Sequence, residues 1–306
     1  VNVLFLLITL VVAFFILSFN LQGGLERVTK YMMSALLLLM LALAVHSLLL
    51  GGAGKGMSFY LKPDFSKIKG SVVVGAMNQA FFTLSTGMGG MAIFGSYIGK
   101  EQSLTGEAIW IMALDTFVAI ISGLIIFPAC FSFGIHPDSG PNLLFVTLPN
   151  VFEAMSGGRI WGSLFFLFML FAAMSTVIAV FENITSCIAD LTELPRKKVI
   201  LYLIPVIILL SLPCILGFNH WSHIQPLGKG SCILDLEDFL VSNNLLPLGS
   251  LVYLAFCTSR YGWGWDNFIR EADTGNGVRF PKWIRFYATY ILPLIVLYIF
   301  FNGYWA

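Results

Sequence analysis

Long apolar stretches, separated by short polar segments, recur eight times along the chain. Each is close to, or longer than, the roughly 20 residues that an α-helix needs to cross a bilayer. The pattern therefore predicts an all-α polytopic membrane protein, with residues 1–306 in a single transmembrane domain. The predicted spans are approximately 1–19, 31–50, 71–98, 107–133, 161–190, 199–217, 240–258 and 284–303.

The third span, Ser71–Ile98, carries polar residues and three glycines at its centre. As a continuous helix it would measure about 42 Å, against a hydrocarbon core of about 30 Å. Lipid tolerates free backbone groups only where they line a cavity or are buried in protein. We predict two half-helices joined by an unwound segment near Ser85–Gly87, a device that transporters use to present helix ends to a substrate. The alternative is that the small residues allow close helix packing. The central residues are Thr83, Ser85, Thr86, Gly87, Gly89 and Gly90.

The composition supports a membrane protein. Hydrophobic residues make up 58% of the chain and charged residues only 11%, and the mean hydropathy is +0.87. This composition is typical of a protein whose surroundings are the lipid bilayer. The net charge of +1 gives no indication of a nucleic-acid partner. The five cysteines show no metal-binding spacing, so free thiols are expected.

The basic residues predict an orientation. Of the 17 Lys and Arg residues, 11 fall in the odd-numbered loops, counted from the first span. Because positive charge is retained in the cytoplasm, the odd loops are predicted to be cytoplasmic. Val1 then starts on the outside and within an apolar run, so the chain is expected to lack its natural start.

Two carboxylates, Asp115 and Glu182, lie deep in the predicted spans. An ionisable group in a membrane span is costly and is a functional candidate by default. No Lys or Arg is available inside the spans, so the expected counter-charge is an ion, a substrate ammonium group or a proton. The alternative is a protonated, hydrogen-bonded carboxyl group.

The fifth span offers uncharged oxygen atoms. Ala172 and Thr176 share one face of a helix, and Ser175 supplies a second hydroxyl group. Hard oxygens of this kind suit Na⁺. Alternatively, the two hydroxyl groups bond back to carbonyls of their own helix, as Ser and Thr often do.

Several segments together resemble the neurotransmitter:sodium symporter family, which has the LeuT-type fold. Their order and spacing match along nearly the whole chain, which resembles the family's fourth to eleventh helices without the first three. By the resemblance, residues 71–258 form a complete second repeat. The matching segments are Asn78–Gly90, Gly95–Tyr97, Ile126–Ala129, Gly140–Pro149, Phe171–Glu182 and Leu194–Lys198.

The resemblance implies a substrate site and two sodium sites. Carbonyls at the end of the first half-helix would accept the substrate's ammonium group, which suits the negative end of a helix dipole. The first sodium site would include Thr83 and Asp115, and the second Ala172, Ser175 and Thr176. The substrate-binding residues would be Phe82, Thr83, Ser85, Met88, Thr176 and Val180.

The resemblance also bears on chloride and on an extracellular gate. Family members that require chloride have Asn at the Asp115 position, with Gln79 and Thr83 beside the anion. The fixed carboxylate of Asp115 could supply that negative charge, so chloride is not expected to be required. Asp238 matches the acidic half of the gate, whose arginine partner lies in the missing part.

The resulting prediction is a sodium-coupled symporter for an amino acid or related small amine, in the plasma membrane. It is not an enzyme, and without its first helices it is expected to be inactive alone. An intramembrane hydrolase is disfavoured, because Asp115 and Glu182 are on different spans and no embedded His accompanies them. A second alternative is a truncated, non-transporting protein that associates with other membrane proteins. The sequence identifies neither the substrate, the sodium stoichiometry nor the oligomeric state.

Overall fold

The computed structural model describes residues 2–18, 26–137 and 143–304, and this part of the chain is helical. Apart from one bridge between Gln102 and Asn276, it contains no β-structure. The helices are α1 (Asn2–Leu17), α2 (Glu26–Leu48), α3 (Ala53–Leu61), α4 (Gly70–Thr83), α5 (Gly90–Ser96), α6 (Leu104–Ser132), α7 (Leu148–Ala154), α8 (Gly158–Thr192), α9 (Arg196–Gly217), α10 (Ile233–Asp238), α11 (Leu246–Thr258), α12 (Trp265–Ala272), α13 (Ile284–Phe286) and α14 (Leu292–Asn302).

Six helical segments within the described residues are long and apolar enough to cross a membrane. The other two predicted spans correspond to α1, whose apolar part is shorter, and to the interrupted pair α4 and α5. The predicted all-α membrane fold is therefore confirmed. The six segments are Thr29–Leu48, Leu104–Ser132, Gly158–Thr192, Arg196–Gly217, Ile233–Thr258 and Ile284–Asn302.

Three short π-helical segments precede a Leu-Pro pair. They are Leu143–Thr147 before Pro149, Phe239–Leu245 before Pro247, and Tyr287–Ile291 before Pro293. Proline has no backbone N–H, and its ring clashes with the carbonyl four residues earlier. That carbonyl lies inside the π segment in each case, so the widened turn accommodates the proline.

Packing divides the chain into two compact units. The first unit comprises residues 1–14, 68–113 and 179–306. In this unit α4 packs against α11 and α14, which bury Leu246, Val296 and Ile299. Near the chain start, the ring of Phe14 stacks on that of Phe181 with centroids 4.9 Å apart. The first unit therefore holds the interrupted span and the last spans of the chain.

The second unit comprises residues 15–67 and 114–178 and has an apolar core of its own. The Ser47 hydroxyl donates to the Ile125 carbonyl at 2.7 Å, which joins α2 to α6 inside this core. The buried core residues are Leu36, Met40, Leu43, Ala44, Ile125, Ala129, Cys130, Leu148, Val151, Met155, Phe165 and Phe168.

The segment between α6 and α8 is helical from Leu143 to Ala154. Leu143 and Leu144 pack against the core of the second unit, whereas Phe145 and Val146 are exposed. The part of the loop from Asp138 to Asn142, including the Gly140–Pro141 match, lies outside the described residues.

Candidate functional site

The third span is interrupted as the glycine cluster predicted. Helix α4 ends at Thr83 and α5 begins at Gly90. Between them, Ser85, Gly87 and Gly89 have φ angles of +50°, +82° and +84°. These left-handed conformations are incompatible with an α-helix and favour glycine. The predicted unwound segment near Ser85–Gly87 is therefore confirmed, and we call residues 84–89 the break.

The break packs directly on the backbone of α11. A Cβ atom at Gly87 would lie 2.4 Å from the carbonyl oxygen of Leu246, and one at Gly249 would lie 2.3 Å from the carbonyl oxygen of Gly87. Any side chain at either glycine would force the two backbones apart. The sequence singled out Gly87 but not Gly249, whose contact partner is 162 residues away along the chain.

Asn183, on α8, also supports the break, although no sequence pattern marks it. Its side-chain amide donates to the Met88 carbonyl at 3.3 Å. Tyr253, on α11, also approaches the break, because a Cβ atom at Gly89 would lie 3.1 Å from its hydroxyl oxygen. The Met88 carbonyl lies between the two helices, and the Asn183 side chain supplies its hydrogen bond.

The predicted substrate residues fall at the end of α4, in the break and on α8. Phe82, Thr83 and Met88 are exposed, and Ser85 is half-buried. On α8, Val180 belongs to the same unit as the break, and Thr176 belongs to the second unit; both are exposed. Their roles in substrate binding stay predictions.

The predicted second sodium site brings three oxygen atoms together in the second unit. The Ser175 hydroxyl donates to the Ala172 carbonyl at 2.8 Å, and the Thr176 hydroxyl donates to the same carbonyl at 3.2 Å. The two hydroxyls therefore bond back to their own helix, which is the alternative that the sequence left open. Their lone pairs remain the kind of hard donor that fits Na⁺.

The other predicted ion-site residues lie on different elements. Asp115 is half-buried on α6 in the second unit. Gln79 and Thr83 are exposed near the end of α4 in the first unit, and their grouping with Asp115 stays a prediction. Asp238 is the exposed last residue of α10, and its carboxylate accepts a hydrogen bond from Ser242 at 2.8 Å. Its role in a gate also stays a prediction.

The expectation for Glu182 was wrong. This fully buried carboxylate forms a bidentate ion pair with the Arg196 guanidinium. Nη1 donates to Oε1 at 2.9 Å, and Nη2 donates to Oε2. The hydroxyls of Tyr97 and Ser186 donate to the same Oε1 at 3.1 and 3.0 Å. The counter-charge is therefore a protein cation.

The local chain path explains why Arg196 reaches Glu182. Helix α8 ends at Thr192 and α9 begins at Arg196, so only three residues join them, and Glu193 turns the chain with a φ of +55°. The long Arg side chain returns from the start of α9 to the buried face of α8. Arg196 falls in a predicted loop, but a tight turn between two apolar helices indicates that a long side chain there can reach the neighbouring helix.

Comparison with known proteins gives a consistent result. Residues 3–305 match the family model described as "Sodium:neurotransmitter symporter family". The chain is 33% identical over 306 residues to an uncharacterized sodium-dependent transporter of Haemophilus influenzae, covering 98% of this chain and 65% of that protein. It is 35% identical over 284 residues to the uncharacterized sodium-dependent transporter YhdH of Bacillus subtilis, covering 92% and 62%.

A solved structure is also similar over almost the whole chain. The crystal structure of MhsT in complex with L-phenylalanine aligns with a TM-score of 0.84 and 33% identity, covering 98% of this chain and 68% of that one. A more distant match, 26% identical over 275 residues, is a rabbit creatine transporter that is named sodium- and chloride-dependent.

These matches define what kind of protein the chain is. The chain spans 62–65% of the length of the two bacterial relatives. The matched proteins are transporters and not enzymes, which excludes the hydrolase alternative. Together with the six long apolar helices, they make the chain a multi-pass protein of the plasma membrane. The relatives' names give no support to a chain that is inactive alone or that only associates with other membrane proteins.

Proposed function

Because the chain belongs to the sodium:neurotransmitter symporter family, we propose that it works as a sodium-coupled symporter for an amino acid or a related small amine. The break between α4 and α5 is the observation that carries this proposal. The first of the two helices has 14 residues and ends at non-helical backbone in the middle of a predicted membrane span. Non-helical backbone at this depth is typical of a substrate site in secondary transporters.

The proposed substrate site uses the end of α4. The carbonyl groups of the last turn carry the negative end of the helix dipole and would accept the substrate's ammonium group. Phe82, Met88 and Val180 would contact its side chain, with Thr83, Ser85 and Thr176 nearby. These apolar contacts suit a neutral substrate with an apolar side chain. L-phenylalanine, which MhsT binds, is therefore the first substrate to test.

The proposal includes two sodium sites. In the second unit, the Ala172 carbonyl and the hydroxyls of Ser175 and Thr176 would bind one ion through oxygen lone pairs, after the hydroxyl hydrogens rotate away from the carbonyl. Thr83 and Asp115 would contribute to the other site. Because a cation and its coupled substrate enter together, occupancy of these sites would make substrate binding depend on Na⁺.

The spans are assigned, as part of the same proposal, to the family's fourth to eleventh helices. Residues 71–258 would then form the second of two inverted repeats, beginning with the interrupted helix. The packing of α4 and its break against α11 supports this arrangement, because it joins the first and last helices of that repeat within one unit.

Uptake into vesicles tests the proposal. The purified chain is reconstituted into proteoliposomes, and uptake of labelled L-phenylalanine is measured with an inward Na⁺ gradient or with K⁺ in place of Na⁺. Uptake is expected only with Na⁺. Phe82→Ala is expected to reduce it at least about tenfold, as for loss of a large apolar contact, whereas Phe65→Ala, at an exposed site outside the spans, is expected to have no effect. Equal uptake in Na⁺ and K⁺ would refute sodium coupling.

A further inference from the structure

A groove of about 880 Å³ lies between the end of α11 and the beginning of the last span, Ile284–Asn302. All of its lining residues belong to the first unit. Its volume is in the range of about 300–1,000 Å³ that is usual for small-molecule sites. None of the residues predicted to bind substrate or sodium lines it. The groove is therefore separate from the proposed transport site.

One end of the groove is charged and the other end is apolar. Arg260 and Arg285 line the end next to the loop that joins the last two spans, whereas Leu251 and Pro293 line the opposite end. Leu251 lies roughly 10 Å before Thr258, the last residue of α11, because a helix rises about 1.5 Å per residue. The groove thus runs from the loop into the spans, and its polarity matches that of an amphiphile.

The groove opens toward the bilayer surface. Trp283, Phe286 and Tyr290 line it and are 80%, 65% and 61% exposed. Phe286 and Tyr290 lie within the last span, and Trp283 directly precedes it. Exposed apolar surface of this kind on a span marks contact with the membrane, and Trp and Tyr beside basic residues are typical of the membrane–water interface. The charged end of the groove therefore lies at the level of the lipid headgroups.

The two arginines of the groove keep their positive charge available. Among the described residues, neither Arg260 nor Arg285 forms an ion pair. Asp266 lines a smaller adjoining cleft together with both arginines but pairs with neither. Tyr261 positions Arg260, because the guanidinium donates to the tyrosine hydroxyl at 2.8 Å and lies 4.8 Å from the centre of its ring. Two guanidinium groups beside one carboxylate leave a net positive charge for an anionic ligand.

We propose that the groove binds an anionic phospholipid of the bilayer, with its phosphate on Arg260 and Arg285 and an acyl chain along the apolar end. Guanidinium groups bind phosphate through paired hydrogen bonds. A zwitterionic lipid is disfavoured, because its cationic headgroup would be repelled by the two guanidinium groups. The loop at the charged end is predicted to be cytoplasmic, and basic clefts between spans on that side are typical sites for anionic headgroups.

A lipid bound in the groove would link α11 to the last span. These two elements pack against each other and against α4, which leads into the break. Because a ligand that binds the folded state stabilises it, the bound lipid would strengthen this side of the first unit. The inference does not depend on the proposed transport function.

Lipid binding by the purified chain tests the proposal. The chain in an uncharged detergent is titrated with dioleoylphosphatidylglycerol or with dioleoylphosphatidylcholine, and bound lipid is counted by native mass spectrometry. Phosphatidylglycerol is expected to bind at least about fivefold more tightly, on the scale of one basic residue beside an anionic headgroup. Millimolar inorganic phosphate should not displace it, because free phosphate has no acyl chain to fill the apolar end.

Variants make the binding result specific to the groove. Arg260→Gln and Arg285→Gln should each weaken phosphatidylglycerol binding about fivefold, and the double variant should bind the two lipids equally. Arg285→Lys, which keeps the charge, should retain most of the preference. The control is Arg270→Gln, which removes the same charge from the same loop but at an exposed residue outside the groove. It should behave like the wild type.

Fluorescence locates the bound lipid. Bromine atoms on the acyl chains of a phospholipid quench the tryptophans that the chains contact. In detergent, brominated phosphatidylglycerol should quench the wild type more than Trp283→Phe, whereas Trp221→Phe, in the loop between α9 and α10, should match the wild type. Equal affinity for the two lipids, or an equal loss in Arg270→Gln and Arg285→Gln, would overturn the proposal. So would displacement by inorganic phosphate, which would make the groove a site for free phosphate.

Discussion

At the scale of single residues, the glycines of the break are fixed by two independent constraints. Gly87 has a left-handed φ of +82° and touches the α11 backbone. The first constraint could be predicted from the sequence, because clustered glycines within an apolar run indicate non-helical backbone. The second could not be predicted, because Gly249 and Asn183 meet the break only through the fold.

Replacing Gly87 with alanine tests these constraints. Gly87→Ala is expected to lower the free energy of unfolding by at least about 2 kcal/mol, through backbone strain and through the clash with Leu246. The measurement is thermal unfolding in detergent. Gly75→Ala is the control, because its Cβ would meet no atom within 4 Å and alanine favours the helix. Equal losses in the two variants would contradict this account.

The Glu182–Arg196 pair makes a second prediction at this scale. Glu182→Gln removes the counter-charge of the guanidinium, whose side chain is 29% exposed, and the loss of charge-assisted hydrogen bonds at this half-buried site is expected to cost about 1–3 kcal/mol. The loss should appear as a lower unfolding temperature. Removing the second charge as well, in Glu182→Gln with Arg196→Gln, should recover part of it. The control is Asp190→Asn at an exposed position of the same helix, which should behave like the wild type.

At the scale of elements, the apolar runs predicted where the helices lie. The breaks, π segments and tight turns in those helices were only partly predictable. The interruption between α4 and α5 followed from three glycines and three hydroxyl residues. The π segments before Pro149, Pro247 and Pro293 did not, because proline in a span predicts a disturbed turn without fixing its form. The short link between α8 and α9 brought Arg196 to Glu182, which the division into spans and loops had obscured.

The hydroxyl pair on α8 makes the prediction that belongs to this scale. Ser175→Ala and Thr176→Val each remove one oxygen from the set around the Ala172 carbonyl. Each is expected to raise the Na⁺ concentration for half-maximal L-phenylalanine binding by about three- to thirtyfold, on the scale of one lost ligand interaction. Ser163→Ala, whose hydroxyl bonds the Arg159 carbonyl earlier in the same helix, is the control. Unchanged Na⁺ dependence in both variants would remove this site from the proposal.

At the scale of the whole molecule, the sequence predicted the fold class and the membrane spans, and the proposed sites remain distributed over both compact units. Thr83, Met88 and Val180 belong to the first unit, while Asp115 and Thr176 belong to the second. No local pattern can test such a grouping, because it depends on how distant segments of the chain assemble. Transport experiments therefore have to decide the ion requirements, and chloride is the sharpest case.

Asp115 provides the test for chloride. By the resemblance to the family, its carboxylate would occupy the position where chloride-dependent members have a neutral Asn, and it would supply the negative charge that the anion supplies there. Two unit charges of like sign roughly 5 Å apart repel by about 3 kcal/mol at an effective dielectric constant of about 20, so an added chloride would be disfavoured. We therefore expect Na⁺-driven uptake in proteoliposomes to be unchanged when gluconate replaces chloride, unlike that of a transporter named as chloride-dependent. Asp115→Asn should either abolish uptake or make it depend on chloride, whereas Glu107→Gln in the first turn of the same helix should do neither. If wild-type uptake stops in gluconate, or Asp115→Asn responds to neither anion, the carboxylate does not replace chloride.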